Sequence, residues 1–403
     1  MAHQSPLREQ HLQAEATLTP YGPLTPPVEL VESFGEVDFE YAAIRKACAL
    51  IDAPHRATLE IAGDERREFL NNMVTQEIGG LEPFRSRRAF WLSRKGRIVS
   101  DLRITELGDR MLVDLDVHAA DETIESLGSY VIMEDVEIRD ITDRVHHLAL
   151  HGPTAPLLLS EIGEQSGEDD DGPPVGELKE DAACCVRIGG AAVTVERQDF
   201  AGEIGLELTM PVDEAPSVYR ALVESGSPTN GGVPGSLQAR VGLRQAGWLA
   251  LNTARIEAGR PVMFADFSTD SLPAECGEET LRDRVSFTKG CFLGQEVVAR
   301  MQHLGKPKRT LVALRPEGES PRDDEGHAVQ PIGGANVATE ENPDDPIGGV
   351  TSSTISPMLG GLPICFAVLK TDAAVDGAML RVPCEGRIGR FRVQKSLPFY
   401  GRG

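Results

Sequence analysis

The segment Lys289-Gly290-Cys291-Phe292-Leu293-Gly294-Gln295-Glu296 restricts the fold of this 403-residue chain more than any other stretch. A short apolar run before it, Val285-Ser286-Phe287, predicts a strand, and an amphipathic pattern from about Gly294 to Leu304 predicts a helix. Gly305-Lys306-Pro307 then places a glycine, a cation and a proline where the C-terminal end of a helix favours them. The segment is therefore predicted to connect a strand tightly to a helix.

Cys291 is the residue of this segment that could carry chemistry. It is predicted to lie just before the N-terminus of a helix and beside Lys289, and both the helix dipole and the cation stabilise a thiolate. An exposed Cys291 would then be a reactive thiol. The structural alternative is a small buried side chain in a turn flanked by glycines, and local reasoning leaves both interpretations open.

A second candidate is the carboxylate of Glu203 in the segment Gln198–Leu208. Gly202 and Gly205 bracket it between two predicted strands, so a flat ligand could approach the backbone closely there. A carboxylate accepts a pair of parallel N–H bonds well, as a guanidine-like group presents them. The alternative is a solvated glutamate at the tip of a hairpin.

A third candidate is Asp101, near the centre of the predicted strand Gly96–Ile104. Strand alternation places its side chain on the same face as Val99 and Arg103. A carboxylate at such a position costs desolvation energy unless it is paired or functional. Pairing with Arg97 or Arg103 is the structural alternative.

Composition limits the classes of function. The net charge is −23, with 40% hydrophobic residues and few lysines beside arginine. An acidic, lysine-poor surface suggests adaptation to high salt and disfavours nucleic-acid binding, which needs concentrated Lys and Arg. An uninterrupted apolar run of about 20 residues, long enough to span a bilayer, is not found, and the N-terminus lacks a signal pattern. The chain is therefore predicted to be cytoplasmic and to bind neither nucleic acid nor membrane.

Cysteine and histidine spacing does not indicate a metal. Seven cysteines are scattered without a Cys-x-x-Cys pair, so neither a zinc site nor a disulfide framework is expected. His146, His147 and His151 cluster in sequence, but without an acidic or cysteine partner at ligand spacing. We expect no metal ion.

The chain is predicted to fall into three regions. Residues 1–34 lack periodicity and are predicted to be a tail or loosely docked arm. Residues 35–304 alternate strands and helices, including predicted helices at Phe39–Leu50 and Ala239–Ala258, which indicates α+β layers in two interleaved units. Residues 305–403 contain short strands and Gly/Pro/Asp-rich turns, typical of a small all-β module.

Several of these segments together resemble one family over roughly residues 37–400. Phe200-Ala201-Gly202-Glu203-Ile204-Gly205-Leu206-Glu207 resembles the Tyr-Thr-Gly-Glu-x-Gly-x-Glu segment of the glycine-cleavage T-protein, and Ala254–Gly259 resembles its Leu-Arg-x-Glu-Ala-Gly helix end. Lys289–Glu296 matches the cysteine signature of YgfZ proteins. Asp101 occupies the position of the family's folate-proximal aspartate. The chain thus resembles the glycine-cleavage T-protein/YgfZ superfamily.

The resemblance implies a fold and a ligand. The fold would be a three-domain α+β cloverleaf of two ferredoxin-like units and a C-terminal β-barrel, arranged around a hole that binds tetrahydrofolate or a one-carbon derivative. Glu203 would recognise the pterin, Phe200 would line its pocket, and Asp101 would lie near N5 and N10. Asp116 and Arg255 are further implied folate-binding residues, Asp116 from a loose alignment.

The resemblance also implies two competing functions. The first is that of a YgfZ-like factor supporting iron–sulfur cluster assembly or repair, with Cys291 as a redox or transient sulfur contact and iron–sulfur proteins as partners. The alternative is a tetrahydrofolate-dependent aminomethyltransferase, with Asp101 as the catalytic group and a lipoyl carrier protein as partner. T-proteins usually carry Ala-Arg-Asp where this chain has Ala250-Leu251-Asn252, whereas the cysteine signature is typical of YgfZ proteins.

Overall fold

The chain forms two compact units. The computed structural model describes residues 4–24, 26–165, 171–228 and 233–400. Unit 1 comprises Met1–Asn71, Ile78–Arg88 and Leu102–Leu251, and unit 2 comprises Asn72–Glu77, Ala89–Asp101 and Asn252–Gly403. Each unit is built from segments that are distant in sequence.

The strands of the first 251 residues form a two-stranded, a five-stranded and a six-stranded sheet. They are β1 (Thr17–Tyr21), β2 (Val28–Ser33), β3 (Cys48–Asp52), β4 (Arg56–Ala62), β5 (Arg85–Leu92), β6 (Ile98–Glu106), β7 (Met111–Asp116), β8 (Glu137–Asp140), β9 (Val145–His151), β10 (Ala183–Ile188), β11 (Ala191–Arg197), β12 (Gly205–Pro211) and β13 (Leu243–Gln245). The orders are β1-β2, β5-β6-β7-β4-β8 and β10-β11-β12-β9-β3-β13. The chain passes from one unit to the other within β5 and again within β6.

Ten α-helices accompany the strands of the described residues. They are α1 (Arg8–Gln13), α2 (Val37–Lys46), α3 (Arg66–Met73), α4 (Val117–Gly128), α5 (Ala155–Ile162), α6 (Ala215–Gly226), α7 (Leu237–Val241), α8 (Trp248–Glu257), α9 (Glu278–Arg284) and α10 (Gln295–Leu304). Within this part of the chain, none is long and apolar enough to cross a membrane. The predicted strand at Val285–Phe287 is not formed. These residues follow α9 as irregular chain.

Of the two alternatives predicted for residues 1–34, a tail or a loosely docked arm, the described residues 4–24 and 26–34 form a docked arm, and the tail is wrong for them. Leu7, next to α1, is completely buried in the core of unit 1, and Val28, Leu30 and Val31 of β2 are also buried. The hydrophobic effect therefore holds this arm in place although it lacks a long periodic pattern. His11 of α1 donates or accepts a hydrogen bond at 2.8 Å to Asp52 of β3.

Two predicted helices are longer than the helices observed. Part of each predicted helix forms a β-strand instead. The helix predicted at Phe39–Leu50 ends at Lys46, and Cys48–Asp52 is β3. The helix predicted at Ala239–Ala258 is interrupted at Gly242, whose φ of 63° ends α7 before β13. β13 pairs in parallel with β3, which pairs on its other side with β9, so both strands form through partners that are distant in sequence.

Unit 2 contains the β-barrel. Its strands are β14 (Arg309–Pro316), β15 (Asn336–Thr339), β16 (Pro346–Ser356), β17 (Leu362–Lys370), β18 (Met379–Cys384) and β19 (Arg387–Gln394), and they close in the order β14-β17-β16-β15-β18-β19. Phe391, Val337 and Leu369 are among the buried residues of the barrel core. A second cluster, which includes Phe366 and Leu397, packs around Ile256 of α8. The predicted α+β class with a C-terminal β-barrel is confirmed.

Candidate functional site

Asp101 is the one residue of β6 that is not fully buried and carries a carboxylate. The burial pattern of β6 leaves this position partly open among buried neighbours, and the Asp101 side chain retains 17% exposure. The guanidinium of Arg284 donates from Nε to Oδ1 at 2.8 Å and from Nη2 to Oδ2 at 3.1 Å. This two-pronged geometry is the strongest form of an arginine–carboxylate interaction.

Arg284 is the last residue of α9 and is itself held from several sides. Its backbone carbonyl accepts a hydrogen bond from Thr75 Oγ1 at 2.6 Å, and its guanidinium lies 5.7 Å from the ring centroid of Phe90. Nη1 donates to Asp283 at 2.9 Å. Burial opposes the charged guanidinium, but the carboxylates of Asp101 and Asp283 outweigh it, so the pKa of Arg284 is raised.

The predicted partners of Asp101 were wrong. Arg97 donates to the backbone carbonyl of Asp270. Arg103 instead bonds Asp114 at 2.8 Å and pairs with Glu196 at 3.1 Å. Sequence reasoning missed Arg284 because it lies 183 positions from Asp101, and a cation at a helix C-terminus is also explained by the helix dipole alone.

Glu203 lies on the turn between β11 and β12, as predicted from its glycines. Gly202 adopts a φ of 85°, and a Cβ at Gly205 would lie 2.0 Å from the carbonyl oxygen of Gln198. The Glu203 side chain is 31% exposed and lies 3.6 Å from Arg45 Nη1, which also donates to the carbonyl of Ala201 at 2.7 Å. The Glu203 carboxylate is therefore held near a buried cation but remains accessible.

Phe200 belongs to the same turn and is half-buried. Its backbone N–H donates to the carbonyl of Gln198 at 2.7 Å, and Gln198 N–H donates to Gly205 at 2.7 Å across the base of the turn. The structure thus brings Phe200 and Glu203 together on one short connection of unit 1.

Asp116 is engaged by its own surroundings. It caps α4, accepting the backbone N–H of His118 at 2.9 Å, and its second carboxylate oxygen accepts the hydroxyl of Tyr21. The side chain is buried. A capping aspartate stabilises a helix by about 1 kcal/mol, so the structure provides a local reason for this residue.

Arg255 is placed in the interior of unit 2, in conflict with its predicted role in folate binding. Its side chain is 1% exposed, and it donates to Asp266 at 2.7 Å and to Ser352 at 2.7 Å. Further bonds reach Asn252 at 3.0 Å and the carbonyl of Arg260 at 3.1 Å. A guanidinium surrounded in this way stabilises the end of α8 and does not present donors to a ligand.

Cys291 is exposed, which excludes the alternative of a buried small side chain. The cation next to it in sequence points elsewhere, because Lys289 Nζ donates to the carbonyls of Val74 at 2.8 Å and Gln76 at 3.0 Å. Burial lowers the pKa of Lys289 to about 8. Helix α10 begins at Gln295 with Gly294 as its N-cap, as predicted, and Cys291 lies just before it.

The loop of residues 74–76 in unit 2 contacts both Lys289, near Cys291, and Arg284, the partner of Asp101. Val74 and Gln76 hold Lys289, whereas Thr75 bonds Arg284 and accepts the N–H of Phe90 at 2.8 Å. The segment around Cys291 and the partner of Asp101 are thus anchored on three consecutive residues.

Two of the three histidines make side-chain hydrogen bonds in unit 1, and the third lies near a carboxylate. His146 contacts Asp52 at 2.7 Å, and His147 contacts Thr58 at 2.7 Å. His151 lies 3.8 Å from Glu207. Across the described ranges, no group of three His, Cys, Asp or Glu side chains is arranged to hold a metal ion.

Comparison with known proteins defines the class. A profile of the GCVT N-terminal domain family matches residues 7–284. An aminomethyltransferase of Saccharopolyspora erythraea is 29% identical over 99% of this chain and 98% of its own length, and one of a Thermoanaerobacter species is 30% identical over 70% of each. The crystal structure of glycine cleavage system aminomethyltransferase T from Bartonella henselae has the same fold, with a TM-score of 0.80, 22% identity and 98% coverage of both chains.

The chain therefore belongs to the GCVT N-terminal domain family. The predicted superfamily is confirmed at this level. The relatives named above support the aminomethyltransferase alternative over the iron–sulfur function that the cysteine signature favoured.

Proposed function

We propose that this protein is a tetrahydrofolate-dependent aminomethyltransferase that accepts its aminomethyl group from a lipoyl carrier protein. The observation that carries the proposal is Asp101, a partly exposed carboxylate held in a fixed orientation by a buried arginine. Full-length similarity to proteins named aminomethyltransferase supports the same reaction class.

The chemistry requires stabilisation of positive charge. Tetrahydrofolate supplies a nucleophilic amine nitrogen that receives the one-carbon unit. As the bond between the aminomethyl carbon and the carrier sulfur breaks, the sulfur leaves as the thiolate of the reduced lipoyl group and positive charge develops on that carbon. One folate nitrogen bonds to the carbon, and attack by the second folate nitrogen then expels the amino group as ammonia, which gives methylenetetrahydrofolate. A preoriented carboxylate lowers the energy of such a transition state, because it requires no reorganisation when the charge appears. Asp101 is assigned this role.

Glu203 is assigned to pterin recognition. The pterin presents a guanidine-like pair of N–H donors, and a carboxylate with remaining acceptor capacity binds such a pair through two parallel bonds. Glu203 fits this requirement, since its side chain is 31% exposed and is oriented by Arg45 at 3.6 Å. Phe200, on the same turn, would supply an apolar surface for a flat ring.

Each of the two assigned carboxylates, taken by itself, has a chemistry compatible with a folate. Asp101 and Glu203 are carboxylates with partial exposure, each beside one buried guanidinium. Asp116 and Arg255 are excluded from the assignment, because their polar atoms are bonded internally.

The test is a direct assay with purified full-length protein, an aminomethylated lipoyl carrier protein and tetrahydrofolate. The expected result is protein-dependent formation of methylenetetrahydrofolate and ammonia. Omission of either substrate should abolish the product. Formation no faster than the background without protein would refute the proposal.

A variant pair tests the assignment of Glu203. Glu203→Gln should raise the KM for tetrahydrofolate about tenfold with a smaller change in kcat, since a hydrogen bond to a charged group contributes roughly 1.5–3 kcal/mol. Glu224→Gln is the matched control, because Glu224 is exposed on α6 of the same unit. Equal KM values for the two variants would remove Glu203 from pterin binding.

The iron–sulfur function retains one observation, the exposure of Cys291 in its signature segment. It is tested in cells that lack the chromosomal copy of this gene. If iron–sulfur enzyme activities fall in these cells and Cys291→Ser fails to restore them, the transferase proposal is incomplete.

A further inference from the structure

We propose that Arg284 is the positioning residue that fixes the Asp101 carboxylate for one-carbon transfer, an inference that rests on the function proposed above. Arg284 would touch neither substrate. Its contribution would be to hold both oxygens of Asp101 in one plane and one direction.

The fork geometry supports this role. Nε and Nη2 of Arg284 each donate to a different oxygen of Asp101, at 2.8 Å and 3.1 Å. Two parallel bonds from a planar guanidinium restrict rotation of the carboxylate, which a single bond from an ammonium group would permit. The 17% exposure of Asp101 shows that the carboxylate nevertheless remains reachable.

Arg284 can act as a fixed reference because its own position is determined by several contacts. Its side chain is 5% exposed. Thr75 holds its backbone carbonyl, Phe90 lies under its guanidinium, and Asp283 binds its third nitrogen. Phe90 in turn packs edge-on against Phe267 with ring centroids 6.0 Å apart. Rigid support of this kind is what a catalytic group needs, since small displacements reduce rates strongly.

The charge balance also fits stabilisation of a cation. The titratable groups around the guanidinium are Asp101, Asp283 and Cys276. Burial raises the pKa of Cys276 well above its ordinary value, and although the field of Arg284 opposes this shift, the thiol is neutral. The formal sum is then −1 for Asp101, −1 for Asp283 and +1 for Arg284, or −1 in total.

Acceptor capacity remains for a substrate. A carboxylate has about four lone-pair positions, and the hydrogen bonds that Asp101 makes among the described residues both come from Arg284. Arg284 can therefore orient the Asp101 carboxylate. The net negative charge of Asp101, Asp283 and Arg284 remains, and so does acceptor capacity on Asp101 for a substrate.

The decisive variant is Arg284→Lys, which keeps a cation but removes the fork. We expect kcat to fall about 10- to 100-fold, as for a slightly misplaced catalytic group, while the KM for tetrahydrofolate changes less than about threefold. Arg66→Lys is the matched control, because Arg66 is a mostly buried arginine bonded to the carboxylate of Glu106 at 3.1 Å in unit 1. It should lose stability but retain its kcat per folded molecule.

The pH profile separates positioning from a purely structural role. A lysine beside Asp101 and Asp283 is charged at neutral pH, but the ordinary pKa of lysine, about 10.4, lies below that of arginine, so in Arg284→Lys the cation is lost in alkaline solution. Its rate should fall above that pKa, along a limb that the wild type lacks because arginine stays charged. In Arg284→Ala, added guanidinium ion should restore part of the lost rate.

The possible outcomes are distinct. If wild-type protein is inactive in the carrier assay, the proposed function fails and the positioning role fails with it. If wild type is active and Arg284→Lys has the same kcat and pH profile per folded molecule, only the positioning role fails. The positioning role is also overturned if the rate of Arg284→Lys falls only in proportion to its loss of folded protein, as is expected for Arg66→Lys.

Discussion

Two of the arginine–aspartate pairs in unit 2 have nearly the same bond lengths but different surroundings. Arg255 and Asp266 meet at 2.7 Å with side-chain exposures of 1% and 0%, whereas Arg284 and Asp101 meet at 2.8 Å with exposures of 5% and 17%. In both pairs the arginine is buried. The exposure of the carboxylate, however, differs.

The other contacts of the two aspartates follow this difference. Asp266 also accepts the N–H of Val262 at 2.9 Å and the hydroxyl of Thr351 at 2.8 Å, so its acceptor capacity is used inside the protein. Among the described residues, the Asp101 carboxylate accepts its hydrogen bonds from Arg284. The same pair of residue types thus serves stability in one place and leaves a carboxylate available for chemistry in the other.

The largest effect is expected for Asp266→Asn. Removing one partner of a buried pair leaves an uncompensated charge, which costs about 3–5 kcal/mol of folding free energy. Urea denaturation should show this loss, while the protein that remains folded keeps its kcat. A loss below about 1 kcal/mol would show that the two pairs do not differ in the proposed way.

The second effect is expected for Asp101→Asn. The transferase rate should fall about 10²- to 10³-fold, the range observed when one preorganised electrostatic group is removed from an active site. Its folding free energy should change less than that of Asp266→Asn, because the Asp101 side chain is partly solvated. Steady-state kinetics and denaturation of the two variants side by side provide the measurement, and equal kcat values would contradict the comparison.

A third prediction contrasts these ion pairs with the neutral buried histidines of unit 1. Burial lowers the pKa of His147 to about 3 and of His151 to about 4. Because the unfolded chain binds protons from about pH 6.5 downward and the folded chain does not, stability is complete above that pH and is lost as pH falls towards 4.

The slope should be about 1 kcal/mol per pH unit for each histidine. Thermal unfolding followed between pH 7 and pH 4.5 measures it. His147→Gln cannot titrate but can still bond Thr58, so this variant should show a shallower slope. An unchanged slope would mean that His147 is not held neutral.

The smallest effect is expected for Cys291→Ser. An exposed side chain without a structural partner changes folding free energy by less than about 0.5 kcal/mol on substitution, and Cys291 is exposed. The transferase rate should stay within about twofold of wild type. A large loss of rate would move Cys291 into the catalytic group beside Asp101 and weaken the contrast between the two ion pairs.

Local patterns predicted much of the architecture. Short apolar strands between turns indicated the barrel, and the amphipathic pattern from about Gly294 to Leu304 indicated helix α10, Gln295–Leu304. The prediction failed at β3 and β13, which were assigned to helices. These strands pair with each other in parallel from distant parts of the chain, and strand propensity depends on such neighbours more than on local sequence.

The candidate site divides in the same way. Glu203 and Asp101 were identifiable from sequence, since glycines around a carboxylate and a carboxylate within a strand are unusual local patterns. The accessibility of Cys291 was left open, and the assignment of Arg255 did not anticipate its burial. Burial is a property of packing, which composition does not reveal at a single position.

The sequence by itself determined the α+β class, the family and the choice of Asp101 and Glu203 as candidates, because these depend on periodicity and short motifs. The tertiary structure decided that Asp101 pairs with Arg284 rather than Arg97 or Arg103, and that Arg255 is internal. The physical reason is that an ion pair between residues 183 positions apart is set by how α9 packs near β6 within unit 2, a contact that no local pattern encodes.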